Sequence, residues 1–129
     1  VSLGTVTVPS TSKITVVNSG VYNLQWSGQF QNTDTQLHDA SIWLKTNGSN
    51  LTGSTGLVSI PNKHGGVNGH TIVGWNYFLQ LNAGEYVEIW WSSESAQVSL
   101  QAYAAGSSPT RPTTASVIAT LSFVSALPA

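Results

Sequence analysis

The sequence predicts an all-β protein with a single domain over residues 1–129, folded as an antiparallel β-sandwich. Two observations support this prediction. Runs of β-branched and aromatic residues recur at short spacing, and Gly, Asn or Pro bounds each run. No window places apolar residues at the 3.6-residue period of an amphipathic helix. About eight to ten short strands at this spacing are typical of a sandwich or jelly roll.

The first part of the chain alternates apolar and polar residues, as half-buried strands do. Residues 3–17 alternate Val and Ile with Thr and Ser, and Pro9 breaks this stretch into edge-type strands. The next strand carries its large apolar side chains on one face: Tyr22, Leu24 and Trp26. We expect that strand to continue to Phe30 and a polar loop to occupy residues 31–36.

The rest of the chain repeats this pattern. In the strand predicted for residues 40–46, Ile42 and Leu44 share one face and Trp43 lies on the other. Asn47-Gly48 then gives the strongest short signal for a hairpin turn. Later strands are predicted over residues 57–60, 71–81, 85–92, 97–103 and 116–124, with loops over residues 62–69 and 106–114.

Composition excludes several classes of partner and site. The four Lys and Arg and five Asp and Glu give a net charge of −1, whereas a nucleic-acid partner requires a basic surface. No apolar run approaches the ~20 residues of a membrane span, which argues against membrane insertion. The chain has no Cys, so disulfides and thiolate metal sites are excluded. Val1 leaves two alternatives open, removal of an initiator Met or a longer parent chain.

Three aromatic residues fall on strand faces that the core does not need. Trp43 lies opposite the core pair on its strand, and Tyr86 and Trp90 alternate with Val87, Ile89 and Trp91. A second apolar face is expected on strands that meet partner subunits. We therefore predict a subunit contact there. The alternative is that loops of the same subunit cover these aromatic side chains.

Lys45 and Glu88 are expected on the same faces as the surplus aromatics. A carboxylate buried in a contact needs a partner, which suggests that these two charges pair at or near the subunit contact. The alternative is that both are exposed and solvated.

Four segments, in order, resemble the strands of the tumour-necrosis-factor and complement-one-q jelly rolls. They are Gly20–Trp26, Ser41–Gly48 with its Lys-Thr-Asn-Gly end, Phe78–Ile89 with its Leu-Asn-Ala-Gly-Glu-Tyr-Val hairpin, and Ser116–Phe123. The resemblance covers nearly the whole chain. It implies a jelly roll that assembles as a homotrimer around a threefold axis.

Two further segments, Phe30–Asp34 and Val58–Gly69, resemble the C-terminal modules of bacteriophage head and tail fibres. This resemblance implies a structural protein on the virion exterior, either decorating the capsid or ending a fibre. Its partners would be itself and other virion proteins such as capsid or fibre. The alternative is a fibre tip that binds a host-surface glycan or receptor, for which the candidate loop residues are Asn32, Asp34, His64, His70 and Arg111.

No constellation in the sequence indicates catalysis, and we predict no enzyme, no cofactor and no metal. Cys is absent and no nucleophile elbow occurs. His64 and His70 flank a Gly-rich loop but match no zinc signature. The enzyme alternative is hydrolysis of a bacterial wall polymer by a carboxylate pair, Asp34 with Asp39 or Glu85 with Glu88. A secreted signalling ligand is a further alternative that the fold allows.

Overall fold

The computed structural model describes residues 6–7 and 12–127. They form the strands β1 Val6–Thr7, β2 Ile14–Val16, β3 Gly20–Asn32, β4 His38–Thr46, β5 Ser49–Asn50, β6 Gly56–Ile60, β7 Gly69–Leu81, β8 Tyr86–Ser93, β9 Val98–Leu100, β10 Gly106–Ser107, β11 Thr110–Arg111 and β12 Val117–Ser125. These residues include no helix that is long and apolar enough to cross a membrane.

The strands form two antiparallel sheets that face each other, so the predicted all-β, antiparallel sandwich is confirmed. The first sheet has the order β1-β2-β8-β4, and both β5 and β6 pair with β4. In the second sheet β3 is central, with β7 along one edge and β12 and β9 sharing the other. A two-stranded ribbon of β10 and β11 lies apart from both sheets.

The central strand β3 follows the period of two that its sequence predicts. Its buried residues alternate with less buried ones along the whole strand, because successive side chains point to opposite faces of a sheet. The strand β7 pairs with it in continuous register from Gly20 opposite Leu81 to Asn32 opposite Gly69. The core side chains contributed by β3 are Tyr22, Leu24, Trp26 and Phe30.

The first sheet presents the matching half of the core. From β4, Ile42 and Leu44 are buried as predicted. From β8, Val87 is fully buried, and the Trp91 ring meets the Phe30 ring of the other sheet edge to face, with centroids 5.3 Å apart. Such aromatic pairs stabilise the contact between sheets beyond the area they bury.

The turn after β4 has the conformation that its sequence predicts. Asn47 and Gly48 both have positive φ, 52° and 82°, as a type I′ hairpin turn requires. The side chain of Asn47 also holds the neighbouring β7–β8 turn. Its Nδ2 donates to Glu85 Oε2 at 2.7 Å, and its Oδ1 accepts from the Tyr86 amide.

Several predicted boundaries differ from the structure. The polar loop begins after Asn32 rather than after Phe30, because β3 and β7 stay paired to that point. The strand predicted over residues 97–103 is only the three residues of β9, because β9 begins opposite the end of β3 at Asn32 and β12 occupies the same edge of β3 up to Gly28. The predicted loop over residues 106–114 contains the β10–β11 ribbon. The break predicted at Pro9 lies outside the described residues.

Replacement of Leu24 tests the core. Leu24 is fully buried at the centre of β3, so Leu24→Ala should lower the free energy of unfolding by about 2–5 kcal/mol, the usual cost of a core cavity. Urea denaturation followed by far-ultraviolet circular dichroism measures the change. The matched control is Leu57→Ala, because Leu57 is 79% exposed and should cost at most about 0.5 kcal/mol. Equal losses in the two variants would contradict this core.

Candidate functional site

The outer face of the first sheet gathers the surplus aromatic and charged residues. On β4 and β8 the side chains that alternate with the core point to this face. The register places Trp43 opposite Trp90 and Lys45 opposite Glu88. We call this surface the aromatic face and define it by Lys13, Trp43, Lys45, Tyr86, Glu88 and Trp90.

The two tryptophans form the centre of the aromatic face. Their ring centroids are 6.4 Å apart, and Trp43 Nε1 donates to Asn50 Oδ1 at 3.0 Å. Lys45 Nζ lies 3.8 Å from the centroid of the Trp90 ring, in the geometry of a cation–π contact. Trp90 nevertheless remains 41% exposed. A large ring is therefore held in a fixed position while much of its surface stays in water.

The other half of the aromatic face repeats this pairing of a cation with a ring. Lys13 Nζ lies 4.5 Å from the centroid of the Tyr86 ring. Glu88 is only 7% exposed, and its Oε2 accepts a hydrogen bond from Ser12 Oγ. The carboxylate is thus largely removed from water, and among the described residues its hydrogen-bond partner is the neutral Ser12 hydroxyl.

The structure brings together all five residues that the sequence assigned to a subunit contact: Trp43, Lys45, Tyr86, Glu88 and Trp90. The predicted pairing of Lys45 with Glu88 is seen only as a cross-strand register. In the described part of the chain the two charges form no ion pair, because Lys45 contacts the Trp90 ring instead. Sequence reasoning missed Lys13, whose position just before β2 puts it beside Tyr86.

Among the loop candidates, Asn32 is a structural residue and not a surface residue. It is fully buried. Its Nδ2 donates to the carbonyls of Gln36 at 2.9 Å and Ile60 at 3.4 Å, and its Oδ1 accepts from the Asp34 amide. These bonds satisfy a buried amide and fix the loop after β3. Asn32 is therefore unavailable to a ligand, and its assignment to a binding surface was wrong.

Asp34 takes part in a three-residue ionic cluster instead. His38 Nε2 lies 2.6 Å from Asp34 Oδ2, and His38 Nδ1 lies 3.2 Å from Glu94 Oε1. The cluster links the loop after β3, the start of β4 and the end of β8. Sequence reasoning missed His38 and Glu94; the four-residue spacing of Asp34 and His38 was an available signal, but Glu94 is 56 residues from His38.

The remaining loop candidates do not converge on one site. His64 lies in the loop after β6, where its Nδ1 contacts the Asn62 carbonyl at 3.1 Å. His70 lies on β7, edge to face with the Tyr103 ring. Arg111 lies on the β10–β11 ribbon and donates to the Pro109 carbonyl at 2.9 Å. Only the His64 loop meets the Asp34 loop, where the Lys63 amide donates to the Asp34 carbonyl at 2.7 Å.

The carboxylates considered for hydrolysis are each committed to a different structural role. Asp39 accepts from Ser59 Oγ, whereas Asp34 contacts His38. Glu85 accepts from the Asn82 amide within the β7–β8 turn, whereas Glu88 lies on the aromatic face. Within residues 6–7 and 12–127, no three His, Asp or Glu side chains are arranged to hold a metal ion.

An apolar cleft of about 230 Å³ lies between the sheets beside β2 and β12. Its walls come from both sheets, and Ser12 is the one polar residue among Ser12, Ile14, Ile89, Trp91, Leu100, Val117 and Ala119. Such a wall offers no titratable group for chemistry.

The models of known protein families do not match this chain, and neither do the sequences of curated proteins.

The ionic cluster predicts how stability depends on pH. The hydrogen bond to Asp34, aided by Glu94, raises the pKa of His38 above its ordinary value of 6.5. The same hydrogen bond lowers the pKa of Asp34 below 3.8. The His38 contribution to stability is complete below about pH 6.5 and is lost as pH rises through its folded pKa. The Asp34 contribution is present above about pH 3.8 and is lost as pH falls through its folded pKa.

We therefore expect His38→Gln to flatten the decline in stability between about pH 6 and pH 8. Urea midpoints measured across this range test the prediction. The control is His64→Gln, which removes a histidine with no carboxylate partner in the described residues and should keep the wild-type slope. The same slope in His38→Gln and wild type would contradict a stabilising role for the cluster.

Proposed function

We propose that this chain is a non-enzymatic structural protein, a jelly roll that assembles as a homotrimer through the aromatic face and lies on the exterior of a virus particle. It would decorate the capsid or end a fibre, with capsid or fibre proteins as its partners. The observation that carries the proposal is the composition of the aromatic face. Two Trp, one Tyr and a nearly buried carboxylate share a surface that the core of the same chain does not use.

The aromatic face has the features of a subunit contact. Interface centres are enriched in Trp and Tyr, and rigid aromatic side chains dominate binding energy. Trp43 is fixed by Asn50, and the Trp90 ring contacts both the Trp43 ring and the Lys45 ammonium. Because these rings are already ordered, a partner does not have to overcome the full side-chain entropy of binding.

Self-association would bury the part of these rings that remains exposed. Full burial of one exposed large aromatic side chain contributes roughly 1.5–3 kcal/mol, and each ring of the aromatic face supplies the share that its own chain leaves uncovered. A closed trimer repeats the contact three times, and these contributions act against an association cost of about 4–15 kcal/mol.

Threefold symmetry is supported by the resemblance to the tumour-necrosis-factor and complement-one-q jelly rolls. The antiparallel sandwich is compatible with that family. A trimer also matches both the local threefold positions of an icosahedral shell and the symmetry of a fibre. The virion exterior rests on the resemblance to phage fibre modules and on the few charged residues of the chain.

Disruption of the aromatic face tests the trimer. Native mass spectrometry of the wild type should give three times the mass of one chain, and Trp90→Ser should give mainly the monomer, because it removes the most exposed ring of the contact. The control is Ile72→Ser, since Ile72 is 70% exposed on the opposite sheet and should leave the trimer intact. Circular dichroism confirms that each variant folds. A stable wild-type monomer at micromolar concentration contradicts the proposal.

Location on a particle requires a separate experiment. Electron cryomicroscopy of the particle whose genome encodes this chain should show its density on the outside. Density at local threefold positions of the shell indicates decoration, and density at a fibre tip indicates host attachment. Absence of the chain from purified particles rules out a virion role.

The second candidate function is attachment to a host-surface glycan or receptor. The observation that favours it is the sheet opposite the aromatic face, whose strands carry no Lys, Arg, Asp or Glu and whose outer residues Gln25, Asn76 and Phe78 are exposed. A homotrimer held together by the aromatic face leaves that sheet free for a ligand.

A further inference from the structure

The ionic residues of the chain are segregated from one of its two sheets. The chain has four Lys and Arg and five Asp and Glu, and none of them lies in β3, β7, β9 or β12. The strands of the second sheet are therefore free of permanent charge. Its polar character comes mainly from amides and hydroxyls, with His70 at one end of β7.

The outer side chains of this sheet form a surface that we call the amide face. They are residues of β3, β7 and β12 that alternate with the core. The uncharged members that form its middle are Asn23, Gln25, Ser27, Gln29 and Gln31 from β3, Ile72, Asn76, Phe78 and Gln80 from β7, and Ile118, Thr120 and Ser122 from β12; Val21 and His70 lie at its two ends. Strand register arranges these residues in rows that cross the sheet. One row is Thr120, Gln25 and Asn76, and the next is Ser122, Asn23 and Phe78.

Neighbouring rows of the amide face are joined by hydrogen bonds. Asn23 Nδ2 donates to Asn76 Oδ1, and it also approaches the Tyr77 carbonyl at 3.4 Å. The two amides are therefore oriented before any ligand arrives. The Asn76 amide nitrogen keeps its donors, and Asn76 itself is exposed.

A shallow depression lies beside these ordered amides. It is about 240 Å³ in volume, open to solvent, and lined by Gln25, Ser27, Ile118 and Thr120 together with Trp26. Gly74, opposite Ser27 in the register, adds no side chain to this row. Phe78 lies on β7 of the same face, opposite Asn23 in the neighbouring row, and is 66% exposed. The surface thus combines a concavity, fixed amides and an accessible aromatic ring.

We infer that the amide face binds a neutral oligosaccharide, at the depression between Gln25 and Thr120 and against the Phe78 ring. Amide and hydroxyl groups both donate and accept hydrogen bonds, as sugar hydroxyls do. An aromatic face packs against the apolar face of a sugar ring. A sialylated or sulfated glycan is disfavoured, because its anion requires Lys or Arg and these strands contain neither.

This inference deepens the second candidate function and places its site on a sheet face, away from the loops. Uncharged amides are also found where subunits meet, so a second copy of the chain is the competing occupant. The neutral glycan is favoured because a subunit contact needs a continuous apolar centre. On the amide face the central strand supplies Asn23, Gln25, Ser27, Gln29 and Gln31 instead.

Assembly into a trimer raises the apparent affinity of sites that bind weakly one at a time. In a trimer three amide faces face outward and engage one polymeric glycan together, which raises the apparent affinity without new contacts. Binding by a single chain is expected to be weak, and binding by the trimer to a surface that carries many copies is expected to be tight.

The test is an array of neutral oligosaccharides built from hexoses, deoxyhexoses and N-acetylhexosamines, with sialylated and sulfated glycans as comparators. The full chain should bind neutral members and not the acidic ones. Phe78→Ala and Asn76→Ala should each weaken that binding by about tenfold, as expected for one lost ring or amide contact. The matched control is Val17→Ala, because Val17 is 55% exposed in the turn before β3, and its binding should equal that of wild type.

Native mass spectrometry of the same samples separates this inference from the trimer proposal. Unchanged mass with weakened binding in Phe78→Ala and Asn76→Ala supports a glycan site. A change of mass in these variants identifies the amide face as a subunit contact and overturns the inference. It is also overturned if no neutral glycan binds, if acidic glycans bind equally well, or if both variants bind as wild type does. If the wild type does not trimerise, the trimer proposal fails, and the array result by itself still tests glycan binding.

Discussion

The structure depends on the alternation of side chains along β3. Tyr22, Leu24, Trp26 and Phe30 fill the space between the sheets, and the backbone of the same strand pairs with β7 along its length and with β12 and β9 along its other edge. Because the period of a strand is two, fixing these four side chains in the core also fixes which residues of three neighbouring strands face water. A shift of one residue would exchange the core with the amide face, replacing Leu24 by Gln25. The cost of burying amides without partners excludes that register.

The same constraint explains which parts of the fold could be predicted from sequence. The strands β3, β4 and β8 alternate over many residues, and their predicted faces agree with the structure. The Asn47-Gly48 turn was predictable because positive φ at both positions requires such residues. The extent of β9 was not, since it is limited by the end of β3 at Asn32 and by β12, which occupies the same edge of β3 up to Gly28. Asn32 was misassigned for a related reason. Its burial depends on carbonyls of Gln36 and Ile60 that only the folded chain brings to it.

The candidate site shows the same limit. Alternation alone placed Trp43, Tyr86 and Trp90 on one outer face, because each neighbours a core residue on its strand. The alternation pattern does not determine which charged side chain contacts which aromatic ring. Lys45 lies directly opposite Glu88, and Coulomb attraction alone favours an ion pair, yet its ammonium lies over Trp90. At a partly exposed site an ion pair contributes about 0.2–1 kcal/mol, similar to a cation–π contact. The choice between them therefore depends on geometry that sequence does not contain.

The two outer faces divide the polar chemistry of the chain between them. All nine ionic residues lie in the first sheet, the loops or the β10–β11 ribbon, including the Lys13, Lys45 and Glu88 set on the aromatic face. The second sheet carries amides, hydroxyls, the His70 imidazole and apolar side chains. Charges that flank rigid rings favour a partner in one orientation, because like charges in a wrong register repel. An uncharged amide surface does not impose one orientation on a partner in this way, and it can bind a ligand through many weak hydrogen bonds. The proposed assembly has one sheet against another copy of the chain and the other sheet against a hydroxyl-rich surface. An ionic residue on the second sheet would then have to be desolvated by a ligand that offers no counter-charge, which the observed separation avoids.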